Sequence, residues 1–597
     1  LSLTITIFGQ KGNRNPIVFK SLFGREINSS AHCCLVLNGG LKYGFDMSKL
    51  FDFFAGLTLI LVITGGIVHR FDHLYLDLAS VDTFAIVALV VLAFSWKKIE
   101  KNSKVFSGLD LTLNHPNAKN HARAFYWVSF GVLFLAHVAK HWSLKTDGYD
   151  VSFVHQAMFN PFSETFFPAD ISPTHSALGG HLLFSLIPLS LITQFARWDE
   201  LLFLIQTLSV AVPLYWYLFK GPANLTKQGM IWALVMLALS AKSLRNAIVF
   251  DFREDAFAFL GISVALLSLI RGKIIPYFIG LIFALLSKEN IPFILFFITI
   301  PLIFSTLVPL NKKTRIMVGI GSLMITATYA IIAFKFLLPY YNPNPEQSSP
   351  ILLRFSQFGK TPSQIVLNII TIPKNWLLVM ANLLNKNVVI YLVMMLIPRF
   401  PIFLSKDAFL FAIPGIVGMG LNIITGYSNQ TAMIFHYDLA PLAFILFAMV
   451  IGLNRAFTDG FLKESIAHHK VRLVGLLFLG LSFSDKWPVF HLTFNLPTSE
   501  TIEARLALLK LNRTVPVLTN AHLSAQLNQH QKMIVLEKIC DETSISKVGN
   551  FEGYWITDEK ERRNTGCPEP KMNAIFKNTE VAIYHYSIQP NSDKLNP

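Results

Sequence analysis

Charge is scarce in this chain. Asp, Glu, Lys and Arg make up 15% of its 597 residues against 53% hydrophobic residues, a balance that excludes a soluble protein of this size. Cysteine is scarcer still, with four in all: Cys33 and Cys34 are adjacent, and Cys540 and Cys567 stand alone near the C-terminal end. No metal-ligand spacing results, and only the last two could pair, in an oxidising compartment. There is also no internal repeat, no Gly-rich phosphate loop and no basic surface interleaved with aromatics. The net charge of +15 is therefore not read as nucleic-acid binding. Its Lys and Arg residues cluster in short joints beside apolar runs, where positive residues fix membrane orientation.

What is present is a succession of apolar stretches, and they predict an α-helical polytopic integral membrane protein of roughly thirteen spans. Residues 1–46 lack a starting Met and resemble neither a signal peptide nor a span; Met47-Ser48-Lys49 before an apolar run looks like a true start, so 1–46 are expected to be a non-native or disordered extension. Residues 47–123 carry two N-terminal spans, Leu50 to Val68 and Val81 to Trp96, the second closed by Lys97-Lys98 on the cytoplasmic side. Residues 124–484 form the multi-spanning domain, with an external loop at 142–180. Its spans include Met230 to Ala247, Ala256 to Ile270, Ile274 to Ser287 and Ile291 to Pro309. His181 to Phe195 reads as interfacial, and Ser363 to Leu384, interrupted at Pro373, as lying on the outer surface. From 485 to 597 no span recurs. Val515 to Thr519 and Met533 to Leu536, separated by a helix-like segment, predict a small extracytoplasmic α/β domain. This topology places the chain in a plasma (inner) membrane with its N-terminus cytoplasmic and its C-terminal domain outside.

Four polar clusters fall on the outer side: Asp147 to His181, Asp251 to Asp255, Lys288-Glu289, and His436-Tyr437-Asp438. Ionisable groups near membrane depth are costly, so several on one face point to a polar cavity or a bound ligand. Each also has a plainer reading. Asp150 could cap the helix that follows it, Lys288-Glu289 could end a span in a solvated turn, and Asp251, Arg253, Glu254 and Asp255 could pair among themselves. His436 could anchor at the interface beside Tyr437. His175 and His181, six apart, match no standard helical metal pair.

The motifs resemble a known family. Gly148-Tyr149-Asp150-Val151-Ser152-Phe153 with Gln156 and Asn160 is similar to the YDLGIFDQALWN signature of the membrane family called domain of unknown function 2079. Phe250-Asp251-Phe252-Arg253-Glu254 with Ala256 looks like its FDFHPEA, Ser287-Lys288-Glu289-Asn290 like its VKED, and His436-Tyr437 with Ala440-Pro441 like its hYsA…P segment. The tail, from Val515-Pro516 to Leu527, resembles the family's strand leading into a vSAqn-like helix. The chain departs from the pattern where His155 stands for the second acid of YDLGIFDQ, Arg253 for the HPE histidine and Asn290 for the KED acid. An HFSP-like element is matched by His181 or His175.

The family's layout resembles that of the GT-C superfamily of lipid-phosphate-dependent glycosyltransferases, which implies, at fold level only, a sugar moved from a polyprenyl-phosphate donor at the outer face. Asp150 would then be the catalytic base for an acceptor hydroxyl. Lys288 and Arg253 would hold the phosphate. Tyr149, Gln156, His181, Asp251, Glu254, Glu289, His436 and Tyr437 would bind substrate or orient those cations. No metal ligand set is assigned, although a divalent cation bridging carboxylate and phosphate is compatible with the scheme. The expected partners are membrane lipid and a polyprenyl-phosphate sugar. Two other readings remain open: a transporter or flippase lined by the same charges, which would more naturally show paired interrupted helices, and an assembly protein whose working part is the tail.

Overall fold

The computed structural model describes residues 6–7, 46–64, 67–71, 74–78, 81–146, 148–162, 166–170, 172, 174–221, 228–342, 350–458, 469–484, 487–530, 532–536, 551–567, 570 and 572–588. The expectation for residues 1–46 therefore falls almost wholly outside the described residues, as does Cys540. Cys567 is disulfide-bonded.

The chain divides into two compact units. The first takes residues 1–121, 228–240 and 466–491. In it Met47–Thr64 packs along Val81–Asn102, which packs in turn on His469–Ser482, and that helix on Gln228–Leu239. Asp52 ties the first of these helices to the start of Lys104–Asn114, accepting from the Ser103 hydroxyl and, at 3.0 Å, from the Val105 N–H. The first span is shorter than expected: it ends at Thr64, and Ile67–Phe71 pairs antiparallel with Leu74–Leu78 instead of continuing the helix.

The second unit holds the remaining membrane helices and the tail. Asp255–Leu269 and Ile274–Leu285 form an antiparallel pair close enough that a Cβ at Gly261 or Gly280 would come within 2.6 Å of the facing backbone. Only glycine permits that approach, the usual way for helices to associate in lipid. Lys406–Ile424 packs along Leu439–Thr458.

By length and apolarity, seven helices among the described residues can cross a membrane, or nine if each of two bent pairs counts as one span. That is fewer than the expected thirteen. Residues 256–270, 274–287 and 291–309, expected as full spans, instead form shorter apolar helices of 10–17 residues. Met230 to Ala247 is likewise not continuous, because the helix stops at Leu239 and a second, Lys242–Phe250, begins after Ala241. The break at Pro373 is where the sequence placed it: Pro362–Thr371 and Pro373–Leu383 meet at 92°. Leu367, Ile370, Leu377 and Met380 of this hairpin are exposed, an apolar surface suited to lipid rather than water.

The tail is the expected small α/β domain. Its five-stranded sheet runs Met533–Leu536, Val517–Asn520, Phe551–Asp558, Val581–Ile588, Ala574–Lys577. The first three strands are parallel and the last two antiparallel. Leu144, at the start of the 142–180 loop, is buried in the core of this domain with Leu508, Leu523 and Ile556.

Candidate functional site

The DGYDVSFVHQ stretch folds as a helix, Gly148–Phe159, and much of it binds the tail. Gly148 lies so close to the tail that a Cβ there would sit on the Ala521 carbonyl oxygen. Ser152 Oγ donates to Ser524 Oγ at 2.7 Å. Gln156 is fully buried and exchanges two hydrogen bonds with Asp170, at 2.7 and 2.8 Å, while Asp170 also accepts from the Met533 N–H. Tyr149 and Asp150 stand in the first turn of this helix, with side chains outside the described part of the structure.

Asp199 is the centre of this interface. Its Oδ2 is 2.9 Å from Arg505 of the tail and 3.2 Å from His141 Nε2; its Oδ1 is 2.7 Å from His155 Nδ1 and 3.0 Å from Asn528 Nδ2. All five residues are buried. A second acid at 155 would have faced the Asp199 carboxylate, whereas an imidazole is a partner for it, which accounts physically for the histidine at that position. Gly148→Val is expected to lift the tail off this helix, and hydrogen exchange at Ala521 to Ser524 and along Gly148–Phe159 should accelerate together.

At the sheet's C-terminal edge His522 Nδ1 is 2.7 Å from Asp558 Oδ2. The Asp558 carboxylate raises the His522 pKa, against a smaller opposing effect of burial. A raised histidine pKa contributes stability that is fully present below the unfolded value, about 6.5, and is lost as pH rises through the folded value. The tail should therefore become more protease-sensitive between mildly acidic and alkaline pH, and His522→Gln should flatten that dependence.

A second cluster gathers the other motifs. Lys288 Nζ lies 2.6 Å from Glu254 Oε1 and 2.8 Å from Asp255 Oδ2, all three buried. Burial raises the Glu254 pKa, but Lys288, then Arg253 and His181, outweigh it and hold the carboxyl lowered to about 2. Burial works against the Lys288 charge as well, and Asp255 and Glu254 overcome it to leave the pKa raised. Glu254 and Lys288 are thus both charged at neutral pH, whereas burial raises the pKa of Asp255 above the usual carboxylate value. His436 is different: burial first, then Lys288, Arg253 and Arg354, push its pKa well below the usual histidine value. A neutral His436 Nε2 stands 3.5 Å from Asp255 Oδ2, and its Nδ1 has no hydrogen-bond partner among the described residues. Neither Glu254 oxygen makes a well-directed hydrogen bond there either, despite the close Lys288 charge. Buried polar atoms left this way mark ligand or water positions.

Glu289 bridges to His181: its Oε1 is 2.8 Å from His181 Nδ1 and its Oε2 accepts from the Leu182 N–H at 3.1 Å. Next to these residues opens a cavity of about 130 Å³. Its polar lining is Lys288, Glu289, His181, Asn290, Arg354, Asn422 and Gln430, and the rest is largely apolar, including Phe293, Phe334, Ile365 and Ile369. Arg354 donates to the Tyr437 hydroxyl at 3.0 Å and lies 4.6 Å from that ring's centre. Lys288 is 5.9 Å from the same ring.

Of the residues singled out from sequence, Lys288, Glu289 and His181 line the cavity, and Glu254, His436 and Tyr437 stand behind them. Asp251 does not join them: its carboxylate is buried 3.2 Å from Lys140, and its carbonyl accepts from Gln206. Arg253 is buried beside the cluster, with its N–H bound to Gln206 Oε1, and does not line the cavity. Arg354 takes the position of second cation at the cavity instead. A lone arginine in the apolar run Pro350 to Phe355 was the only sequence signal for it. Among the described residues no group of three or more His, Cys, Asp or Glu could hold a metal ion.

Comparison with curated proteins found no match. Among solved structures, the crystal structure of ArnT from Cupriavidus metallidurans bound to undecaprenyl phosphate aligns with a TM-score of 0.42 at 10% identity, covering 78% of this chain and 98% of that one. The apo form of ArnT gives 0.42 at 11%, with the same coverage. A family model described as predicted membrane protein (DUF2079) matches residues 140–595, from the end of the helix that precedes the Gly148 motif to the end of the tail. The cation cluster, the docking helix and the tail all lie inside that match, and the chain belongs to the DUF2079 family of predicted membrane proteins.

Proposed function

We propose that the protein is a lipid-phosphate-dependent glycosyltransferase that moves a sugar from a polyprenyl-phosphate donor to an acceptor hydroxyl at the outer membrane face. The observation that carries this reading is the cavity that combines two cations, Lys288 and Arg354, with apolar walls. A phosphate headed by a long isoprenoid combines the same two chemistries. Lys288 and Arg354 meet the phosphate as charge-assisted donors. The hairpin of Pro362–Thr371 and Pro373–Leu383 supplies Ile365 and Ile369 to the cavity wall. Leu367 and Ile370, on the same helix, are exposed and face lipid, so the wall is shared with the bilayer from which such a donor comes.

In the reaction the acceptor oxygen attacks the anomeric carbon, and the bond from that carbon to the phosphate oxygen breaks. The electron pair leaves on the phosphate, where Lys288 and Arg354 stabilise the growing charge. The acceptor's proton passes to a carboxylate, for which Asp150 is the candidate.

The test is binding of a radiolabelled long-chain polyprenyl phosphate to the purified full chain, beside the uncharged polyprenol. Retention of the phosphate with at least about a tenfold preference, as expected of charge-assisted contacts worth some 1.5–3 kcal/mol, supports the reading. Equal retention of the two lipids overturns it. In cells, Asp150→Asn at normal expression should accumulate the same sugar-lipid as a deletion.

A further inference from the structure

Beside the cavity, and sharing Asn422 with it, lies a second pocket of about 50 Å³. Its lining is chemically distinct. Asn382, Asn385, Asn387, Asn422, Tyr427 and Ser428 contribute to it, and none of its lining residues is an acid, a base or a histidine. That is unusual beside a cluster whose function rests on charge.

Several of these polar groups are not spent on the fold. The Asn387 side-chain amide and the Ser428 hydroxyl make no hydrogen bond to other described residues, and Asn385 uses only its Oδ1, which accepts from the Asn387 N–H at 2.9 Å to cap the helix Lys386–Leu396. Asn382 uses its Nδ2 on the Ile424 carbonyl at 3.3 Å. Each unspent amide offers two donors and an acceptor, an alternation that suits neighbouring hydroxyls, each of which both donates and accepts. The Tyr427 ring is 44% exposed, and Arg354 lies 5.6 Å from its centre. An aromatic face next to hydrogen-bonding groups offers apolar contact to the C–H face of a saturated ring.

We propose that this pocket is a binding site for a neutral, polyhydroxylated group, the edge of an uncharged sugar ring, held next to the cation cavity. No lining residue carries a counter-charge for a carboxylated or amino sugar, and the nearest cation, Arg354, is engaged by the Tyr437 hydroxyl and ring, so a charged group would enter the pocket unpaired and pay for desolvation. Its place in a reaction rests on the transferase reading; the binding itself does not.

The test uses the purified full chain in detergent and ligand-observed saturation-transfer NMR. Methyl glucoside, methyl mannoside and methyl galactoside serve as probes against methyl glucuronide and glucosamine. Asn387→Leu and Ser428→Val replace exposed side chains that have no hydrogen-bond partner among the described residues, so both variants should fold. The inference predicts saturable signal from at least one neutral glycoside and weaker signal from both charged sugars. Asn387→Leu should weaken it by at least about fivefold, the loss for a hydrogen bond of about 1 kcal/mol. Absence of signal, equal signal from charged sugars, or an unchanged Asn387→Leu overturns it. Polyprenyl phosphate binding is measured on the same samples. Lipid without sugar refutes the pocket and leaves the transferase reading standing; sugar without lipid does the reverse.

Discussion

Lys288→Met is expected to abolish sugar transfer and to lower the yield of folded protein, and the two losses have different causes. Removing a fixed cation from a leaving phosphate costs roughly 10²–10³ in rate. Separately, Lys288 is the close counter-charge of Glu254 at 2.6 Å and Asp255 at 2.8 Å. Breaking a buried pair by deleting one partner costs about 3–5 kcal/mol, because the other charge stays buried. Lys288→Met with Glu254→Gln removes one charge of each sign, so folded yield should recover while transfer does not. Lys288→Arg keeps the charge but changes its shape and should retain the fold. A double variant as active as wild type would mean that Lys288 serves structure alone.

The second large effect concerns the tail. Arg505 is buried, with one guanidinium nitrogen 2.9 Å from Asp199 and another donating to the Gln526 carbonyl at 3.1 Å. Arg505→Met leaves Asp199 buried with only histidine and amide partners, again a cost of about 3–5 kcal/mol. Limited proteolysis should then release the tail while the membrane helices persist. Adding Asp199→Asn should restore much of the protection, because the uncompensated charge is gone. A strongly positive coupling in this double-mutant cycle is the expected signature of a direct pair.

The cation cluster was legible in the sequence because ionisable residues are conspicuous in an apolar chain. Glu254, Lys288 and His436 each sit at a joint between apolar runs, and the three lie close together in the structure. Arg354 and Asn422 were not legible, since each is a single polar residue in an apolar run and gains meaning only from what another element brings beside it. Asp199 follows directly on the His181 to Phe195 segment, in the polar stretch Arg197-Trp198-Asp199-Glu200, and nothing in that stretch marks it as the anchor of the tail. Its partner lies in a different domain, and no local pattern announces that pairing. The break between Leu239 and Lys242 escaped for a different reason: averaging apolarity across a window conceals a two-residue interruption of the helix. Two of the tail's five strands, Val517–Asn520 and Met533–Leu536, were legible because short β-branched runs bounded by turn residues carry their own local signal; Phe551–Asp558, Ala574–Lys577 and Val581–Ile588 were not singled out.

The contact between Asp199 and Arg505 also sets an order of events during synthesis. The two residues are 306 positions apart, so at ~5–20 residues per second about 15 to 60 s separate the emergence of the acid from that of its base. Through that interval every later membrane helix has to be made and inserted while the acid has no guanidinium to meet. A nascent chain stopped before residue 505 would carry its helices but never close this contact, so closure reports that the chain has been made to the tail. A chain that ends before Arg505 therefore lacks the ion pair that fixes the domain, and its Asp199 stays without that partner.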